Sequence, residues 1–357
     1  MKKLFICLVI SIITISISSC ERDEIITDPT TVVNPSKGAY IISEGTFSPG
    51  TSKLSFYNNT TDSFYVSIFN PGSLGITPDG MIKDGNDLYI TEQGSGASGK
   101  IYKTDTNGTV IASANVGVSP YSLTISNNKI YITNGPANNV SVVDKTSLST
   151  LNTVNVGLYP QEILAIGNRV FVCNTSVFGG GTDSTVSVID ATSDTIVATI
   201  KVGKTPSSLA ISTDGKLLVG CPGDIVNAVI YKIDPASYNK IDSFKNLSHG
   251  FCKDIMIINS GKIIFIGGDI YAEGTIESYD LSSGISTTII SKPINDLNYG
   301  LAYNSNTQQI YVGIAAANFT SSGKFRIYNS SGVLRNEFPI STAGSTGVGP
   351  RRIVIKN

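Results

Sequence analysis

The chain has 357 residues with 26 Lys and Arg against 27 Asp and Glu, and it lacks blocks of like charge, so the basic footprint of a nucleic-acid-binding protein is missing. A single histidine excludes a multi-histidine metal site, and the lack of tryptophan argues against sites that stack ligand rings on indole. The 35 glycines, and the absence of a helix-period segment beyond the N-terminal twenty residues, indicate many short strands joined by tight turns.

The first predicted element is a secretory signal peptide over residues 1–19. Two lysines precede an apolar run over 4–17, which is shorter than the roughly 20 residues that a membrane-spanning helix needs. The run ends in ISSC at 17–20, which resembles the lipobox of bacterial lipoproteins. The resemblance implies that residues 1–19 are removed and that the Cys20 thiol carries lipid. An ordinary signal peptide beside an incidental cysteine is the alternative.

Residues 20–37 are predicted to form a flexible tether, because this Thr- and Pro-rich segment has little apolar surface to bury. The acidic run ERDE at 21–24 resembles the surface-export signal of some Gram-negative lipoproteins. The two resemblances imply an outer-membrane protein that touches the membrane through its lipid anchor only. We expect it to face the cell surface, and a periplasm-facing orientation stays open.

Residues 38–357 are predicted to form one all-β domain, a seven-bladed β-propeller. Seven strands end in Asp or Asn at intervals of 39–49 residues, and each interval has room for the four short antiparallel strands of a blade. The marking residues are Asn58, Asp105, Asp144, Asp190, Asp234, Asp280 and Asn329.

A second pattern supports this repeat. Val-Gly-x-x-Pro followed by a strand of small and apolar residues occurs at 116–125, 156–166 and 202–211. Together with Val-Ser-Val-Ile-Asp at 186–190, the pattern resembles the YVTN-repeat propellers over roughly residues 38–357. The resemblance implies the fold, and it says little about function because the shared residues are turn and core positions.

The two ends of the domain are predicted to complete one blade. The first strand, at 39–43, has the pattern of a second strand, so the first blade lacks its inner strand. The segment 348–355 again has Gly and Pro before an apolar strand, and we expect it to supply the missing strand. Such closure removes exposed sheet edges.

The cysteines indicate neither a disulfide framework nor a zinc site. Cys173, Cys221 and Cys252 stay after the signal peptide and the lipidated residue are set aside, an odd number with no CxxC spacing. We expect buried free thiols, and a Cys221–Cys252 disulfide is the alternative.

The predicted binding site lies where the loops of a propeller surround one end of the central channel. Aromatic, amide and charged side chains at these loops suit a polar organic ligand or a protein loop, although several of them could instead cap turns. The loops between blades contribute Asp79, Tyr121, Gln161, Ser207, Phe251, Tyr299 and Arg351, and the loops between second and third strands contribute Glu44, Phe47, Glu92, Asn134, Asn174, Phe178, Asp269, Tyr271 and Phe319.

Motifs for catalysis are missing. HExxH, GxSxG and CxxCH do not occur, and the glycine-rich loop 178–183 is followed by a strand without a Lys-Ser/Thr pair, so a P-loop is excluded. A calcium-dependent, lactonase-like hydrolase stays open as an alternative, with Glu44, Asp79, Glu92 and Asp269 as candidate ligands. We expect a non-enzymatic protein without metal or cofactor.

The opening of the domain suggests one kind of ligand. ISEGTF at 42–47 and KLSFY at 53–57 are similar to the first blade of propeller lipoproteins that capture corrinoids. The resemblance implies nutrient capture for a TonB-dependent transporter. An adhesive or scaffold protein that binds a protein partner at the same face is a further alternative, and in each case we expect a monomer.

Overall fold

The computed structural model describes residues 37–94, 98–176, 182–223, 228–269, 272–341 and 346–357. Every regular element within these ranges is a β-strand, and 28 strands form seven antiparallel sheets of four strands each. The sheets are the blades of a β-propeller, so the predicted fold is confirmed. None of these ranges forms a helix with the length and apolar character needed to cross a membrane. The predicted signal peptide, Cys20 and the tether up to residue 36 lie outside the described residues.

Each blade contains strands A to D, counted outward from the channel, and consecutive A strands contact each other around the whole ring. From A to D, the blades are as follows: blade one, β28 (Gly349–Lys356), β1 (Gly38–Glu44), β2 (Lys53–Asn58) and β3 (Ser63–Tyr65); blade two, β4 (Pro78–Asp84), β5 (Asp87–Glu92), β6 (Gly99–Asp105) and β7 (Val110–Val116); blade three, β8 (Pro120–Ser126), β9 (Lys129–Asn134), β10 (Asn139–Asp144) and β11 (Thr150–Asn155); blade four, β12 (Pro160–Ile166), β13 (Arg169–Asn174), β14 (Thr185–Asp190) and β15 (Thr195–Lys201); blade five, β16 (Ser208–Ile211), β17 (Leu217–Cys221), β18 (Val229–Ile233) and β19 (Lys240–Phe244); blade six, β20 (Lys253–Asn259), β21 (Lys262–Asp269), β22 (Ala272–Asp280) and β23 (Ser286–Ile290); blade seven, β24 (Asp296–Asn304), β25 (Gln309–Ala316), β26 (Lys324–Asn329) and β27 (Leu334–Pro339).

Burial follows the position of a strand within its blade. The B strands read as continuous apolar runs because neighbouring blades cover both of their faces, and β17 is buried along its whole length. The D strands form the outer edge, where β11 buries only one of its six residues. A β-bulge near the start of β7, β11, β15, β19 and β27 bends this edge, which discourages pairing with another sheet.

The ring closes where β28 pairs antiparallel with β1, from Gly38 opposite Lys356 to Glu44 opposite Gly349. The predicted closure is therefore confirmed. Blades seven and one also share an aromatic core, in which the rings of Phe64 and Phe338 stack with their centroids 5.4 Å apart and Phe325 packs beside both. Burial of these rings fastens the two ends of the propeller together.

The residues that mark the repeat form the turns between C and D strands. In blade three, Oδ1 of Asp144 accepts the backbone N–H of Thr146 at 3.0 Å and of Ser147 at 2.7 Å. These bonds hold the pKa of the Asp144 carboxyl below its usual range, with the bond from Ser147 as the largest cause. The same role is taken by Asn58, Asp105, Asp190, Asp234, Asp280 and Asn329. The marks are therefore turn residues on one face of the propeller.

The three cysteines Cys173, Cys221 and Cys252 are buried free thiols, as expected, and no disulfide joins Cys221 to Cys252. Burial raises the pKa of the Cys221 thiol to about 12. A buried thiol that stays protonated is unreactive, so these residues act in packing.

Candidate functional site

The D-to-A and B-to-C loops lie together on the face opposite the marked turns, which we call the loop face. The A strands begin on this face, around one end of the channel, which we call the mouth. Every A strand except β16 has a β-bulge near its mouth end. A bulge breaks the alternation of side chains along a strand, so two consecutive residues can face the channel.

Two consecutive arginines of β28 reach across the mouth. Arg352 donates from Nη2 to Oε1 of Glu162 at 2.8 Å and from Nη1 to Oε2 at 3.3 Å. Glu162 belongs to β12 in blade four, so this bidentate pair spans the channel. Burial is the largest single influence on the pKa of the Glu162 carboxyl and raises it. The charge and hydrogen bonds of Arg352, together with the charges of Arg351 and Lys253, outweigh burial, so the pKa lies below its usual range.

Arg351 is held less tightly than Arg352. Its Nε lies 3.9 Å from Oδ1 of Asp79, its Nη2 lies 3.8 Å from Oε1 of Glu162, and its Nη1 lies 3.7 Å from Oδ2 of Asp254. These separations exceed hydrogen-bond length, and the buried Nη1 donates no hydrogen bond. Arg351 therefore stands among three carboxylates from three blades without a direct bond from Nη1 to any of them.

Glu44, Lys253 and Tyr299 complete the charged group. The Tyr299 hydroxyl donates to Oε2 of Glu44 at 3.1 Å, and the Lys253 ammonium lies 4.7 Å from the centre of the Tyr299 ring. Burial, followed by the charge of Asp79, raises the pKa of the Glu44 carboxyl to about 7, although Arg351 opposes the shift. We call Glu44, Asp79, Glu162, Lys253, Asp254, Arg351 and Arg352 the mouth cluster.

Aromatic side chains border the mouth cluster, and we call them the aromatic rim: Tyr121, Tyr159, Phe251, Tyr299 and Phe319. Tyr121 and Tyr159 pack edge to face with ring centroids 5.9 Å apart, and Tyr299 and Phe319 do so at 5.6 Å. Phe319 is 37% exposed, so part of the rim is open to solvent. Aromatic surface beside buried charge suits a ligand with an organic body and polar groups.

The structure brings together many of the predicted site residues. Arg351, Asp79, Glu44, Tyr299 and Phe319 form one connected group of contacts. Electrostatic contacts place Tyr121 beside Gln161 and Asp79, and the Lys253 ammonium lies 6.0 Å from the centre of the Phe251 ring.

Other predicted residues serve the scaffold. Oε1 of Glu92 accepts the backbone N–H groups of Ile76 and Gly94, both about 3 Å away. The amides of Asn134 and Asn174 are buried and bond to side chains of the next strand of their own blades. These three residues therefore support the loops and strands of their own blades, and their part in ligand binding stays a prediction.

The remaining predicted residues have no contact with the mouth cluster among the described residues. Phe47 is 74% exposed at a loop tip, and the Oγ atom of Ser207 is buried without a hydrogen-bond partner. Phe178, Tyr271 and the side chain of Asp269 lie outside the described part of the chain.

Sequence reasoning missed Glu162, Lys253, Asp254, Arg352 and Tyr159. In a regular strand, consecutive side chains point to opposite faces, so Glu162 and Arg352 would point away from the channel if Gln161 and Arg351 faced it. The bulges in β12 and β28 break this alternation. The signal present in the sequence was the pair of consecutive charged residues in β20 and in β28. The described residues contain no group of three or more His, Cys, Asp or Glu side chains placed to hold a metal ion.

Comparisons with known proteins support the fold. A family model described as a domain of unknown function, DUF5074, matches residues 37–338. No curated protein gives a significant match.

Several solved structures share the fold at low sequence identity. A candidate 6-phosphogluconolactonase of Bacteroides fragilis superposes with a TM-score of 0.67 at 11% identity, covering 92% of this chain and 100% of its own. Hydrazine synthase of Kuenenia stuttgartiensis superposes with a TM-score of 0.61 at 18% identity, covering 77% and 88%. BamB of Moraxella catarrhalis superposes with a TM-score of 0.54 at 15% identity, covering 88% and 89%. At these identities the likeness extends to the propeller fold and no further.

Proposed function

The chain belongs to the DUF5074 family, and we propose that this member binds a polar organic ligand at the mouth of its propeller without transforming it. The observation that carries the proposal is the loosely held Arg351, whose buried Nη1 donates no hydrogen bond at the centre of the mouth cluster. A buried donor without an acceptor is costly, so a ligand that supplies an acceptor gains binding energy there.

The aromatic rim supports the same proposal. Tyr299 and Phe319 stand in contact beside the mouth cluster, and Phe319 keeps a partly exposed face. Rigid aromatic rings bury apolar ligand surface at low cost in side-chain entropy, while the charged groups between them select polar substituents. A protein loop could use the same surface, and that reading is one outcome of the test below.

We also propose that the protein is a monomeric lipoprotein of the outer membrane, anchored at Cys20 and facing the cell surface. The backbone oxygen of Lys37 accepts the N–H of Asn59, which lies in the turn after β2, on the face opposite the mouth. The segment that precedes Lys37 therefore joins the domain on the face opposite the mouth, which supports an orientation with the mouth directed away from the bilayer. Nutrient capture for a TonB-dependent transporter, with a corrinoid as the first ligand to test, fits this geometry.

The calcium-dependent hydrolase has less support. Two of its four candidate ligands, Glu44 and Asp79, reach the mouth cluster, while Glu92 binds backbone N–H groups and the side chain of Asp269 is not described. The carboxylates at the mouth are shared with Arg351 and Arg352, which take the place that a cation would need.

Thermal-shift screening of the full-length protein against corrinoids, oligosaccharides, haem and Ca²⁺ tests the proposal. A ligand that binds only the folded state adds about 2.7 kcal/mol of stability at a hundredfold excess over its Kd. We expect one organic ligand to raise the melting temperature and the Tyr299→Ala and Tyr121→Ala variants to lose that rise. Leu151→Ala, on the exposed outer strand β11, is the matched control and should keep the rise.

The other outcomes separate the alternatives. A rise with Ca²⁺ alone would contradict the proposal and support the hydrolase. No rise with any ligand would contradict small-molecule capture and point to a protein partner. An organic ligand whose effect survives in both tyrosine variants would bind away from the mouth, which would also contradict the proposal.

A further inference from the structure

We infer that the ligand carries a carboxylate or phosphate group and that Arg351 binds this anionic group at the centre of the mouth. The inference rests on the proposed function and adds the chemical class of the ligand. It follows from the way in which the other members of the mouth cluster are held.

Two of the three carboxylates near Arg351, Glu162 and Asp79, are fixed by other partners. Glu162 is engaged by both terminal nitrogens of Arg352 and also accepts the Ser122 hydroxyl at 3.4 Å. Asp79 accepts the Gln93 amide at 3.2 Å. These bonds keep both carboxylates about 0.9 Å or more beyond the usual N–H···O distance of about 2.9 Å from Arg351.

Arg351 is therefore positioned by electrostatic attraction over 3.7–3.9 Å, while its Nη1 group donates no hydrogen bond. A guanidinium group offers two parallel N–H bonds to a carboxylate or phosphate, and such bidentate bonds are among the strongest that a side chain makes. A small rotation of the Arg351 side chain would replace its three long contacts with carboxylates by one direct bond to the ligand. Arg352, which is already in a bidentate pair, has no such freedom.

The organic part of the ligand would lie against Tyr299. The guanidinium carbon of Arg351 is 5.9 Å from the centre of the Tyr299 ring, and Phe319 lies against the same ring. Lys253, at 4.7 Å from that ring, adds a second positive charge on this side of the mouth. The group therefore suits an aromatic or other flat acid.

Glu44 balances the charge that an anion brings. Asp79, Glu162 and Asp254 offset Arg351, Arg352 and Lys253 in number, so the cluster is neutral when Glu44 is protonated. The charged and titratable groups that face Glu44 are Asp79 of β4, Arg351 of β28, Tyr299 of β24 and Lys253 of β20. Because the pKa of Glu44 is already about 7, an incoming anion raises it further and draws a proton onto Glu44. Anion binding should then strengthen as the pH falls from 8 to 6.

Isothermal titration of the full-length protein with benzoate and phenyl phosphate, and with neutral benzamide as the matched probe, tests the inference. We expect one or both anions to bind at least tenfold more tightly than benzamide, and the two anionic arms distinguish a carboxylate from a phosphate. Affinity for benzoate, which stays ionised in this range, should rise by up to about tenfold per pH unit on acidification near pH 7. Glu44→Gln, which imitates the protonated carboxyl, should bind the anion and lose this pH dependence.

Two arginine variants and one control complete the design. Arg351→Gln should weaken anion binding at least tenfold. Arg351→Lys keeps the positive charge without the forked guanidinium group, so its affinity for the anion should lie between those of Arg351→Gln and the original protein. The matched control is Arg335→Gln, because Arg335 is exposed on β27 away from the mouth, and it should bind as the original protein does. If Arg351→Gln does not fold, the comparison of Arg351→Lys with Glu44→Gln decides the question.

The failures can be told apart. Equal affinity for benzamide and the anions, or full anion binding by Arg351→Lys with unchanged pH dependence in Glu44→Gln, would overturn the anion assignment and leave ligand binding at the mouth intact. No heat of binding with any of the three probes at millimolar concentration would overturn the anion assignment, and the screening experiment then decides the proposed function separately.

Discussion

Replacing Arg352 by methionine should destabilise the propeller because it leaves a buried carboxylate without its direct partner. The side chains of Arg352 and Glu162 are only 19% and 15% exposed, and two N–H···O bonds join them. Removal of one member of a buried ion pair typically costs 3–5 kcal/mol of unfolding free energy. Arg351 stays 3.8 Å from Glu162 and compensates in part, so we expect a loss of about 3 kcal/mol, at the lower end of that range.

The pH dependence of this loss has a definite sign. In the original protein the pKa of Glu162 lies below its ordinary value, so its contribution to stability is present above that value and is lost as the pH falls. In Arg352→Met, burial dominates and raises the pKa of Glu162, so the carboxylate is most costly at neutral pH. The difference in unfolding free energy between variant and original protein should therefore shrink on acidification from about pH 7.5 to about pH 5.5.

Urea denaturation followed by circular dichroism at the two pH values measures the loss of unfolding free energy and its change with pH. The comparison holds if the slope of the unfolding free energy against urea concentration is the same in variant and original protein. Adding Glu162→Met to Arg352→Met should restore stability, because two apolar side chains can replace a buried ion pair without leaving a charge. Arg335→Met, at an exposed position, should change the unfolding free energy by less than about 0.5 kcal/mol. A loss below about 1 kcal/mol for Arg352→Met, or additive losses in the double variant, would refute the reasoning.

Three further expectations concern the scaffold. Phe325→Ala should lose about 3–5 kcal/mol of unfolding free energy, because the ring is fully buried between blades seven and one, and calorimetry that shows a loss under 1 kcal/mol would contradict this packing. Deletion of residues 349–357 removes β28 and should lower the melting temperature and expose the open blade to proteases, so an unchanged melting temperature would disprove closure by this strand. Asp280→Asn should keep the thermal stability that Asp280→Ala loses, because an amide oxygen can accept the same backbone N–H bonds, as Asn58 and Asn329 do; equal melting temperatures for the two variants would exclude this turn role.

The number of blades and the closing strand could be predicted because their signals are local and repeated. Each of the seven marking residues forms its turn with backbone atoms two to four positions along the chain, so sequence spacing carries the information directly. The closing strand could be recognised because β28 combines Gly and Pro at its start with an apolar run, as other A strands do.

The candidate site was only partly predictable because its contacts join residues far apart in the chain. Arg352 and Glu162 are 190 positions apart, and no local pattern connects them. The bulge that turns both Arg351 and Arg352 toward the mouth depends on pairing with β1, which is distant in sequence. Conversely, Glu92 and Asn174 had the residue types of a ligand-binding site, but local backbone and hydroxyl groups satisfy them.

Because Arg351 and Arg352 lie on β28, the proposed binding site is complete only after this strand has been synthesised and has paired with β1. This strand follows the other 27 described strands along the chain, so Asp79, Glu162 and Asp254 are made well before Arg351 and Arg352, which together with Lys253 offset their charge. Without β28, the mouth cluster keeps Asp79, Glu162 and Asp254 with Lys253 as its single cation, so its charge is negative. A chain that lacks β28 would therefore have a negatively charged channel without Arg351. Such an incomplete molecule would not compete with complete ones for an anionic ligand.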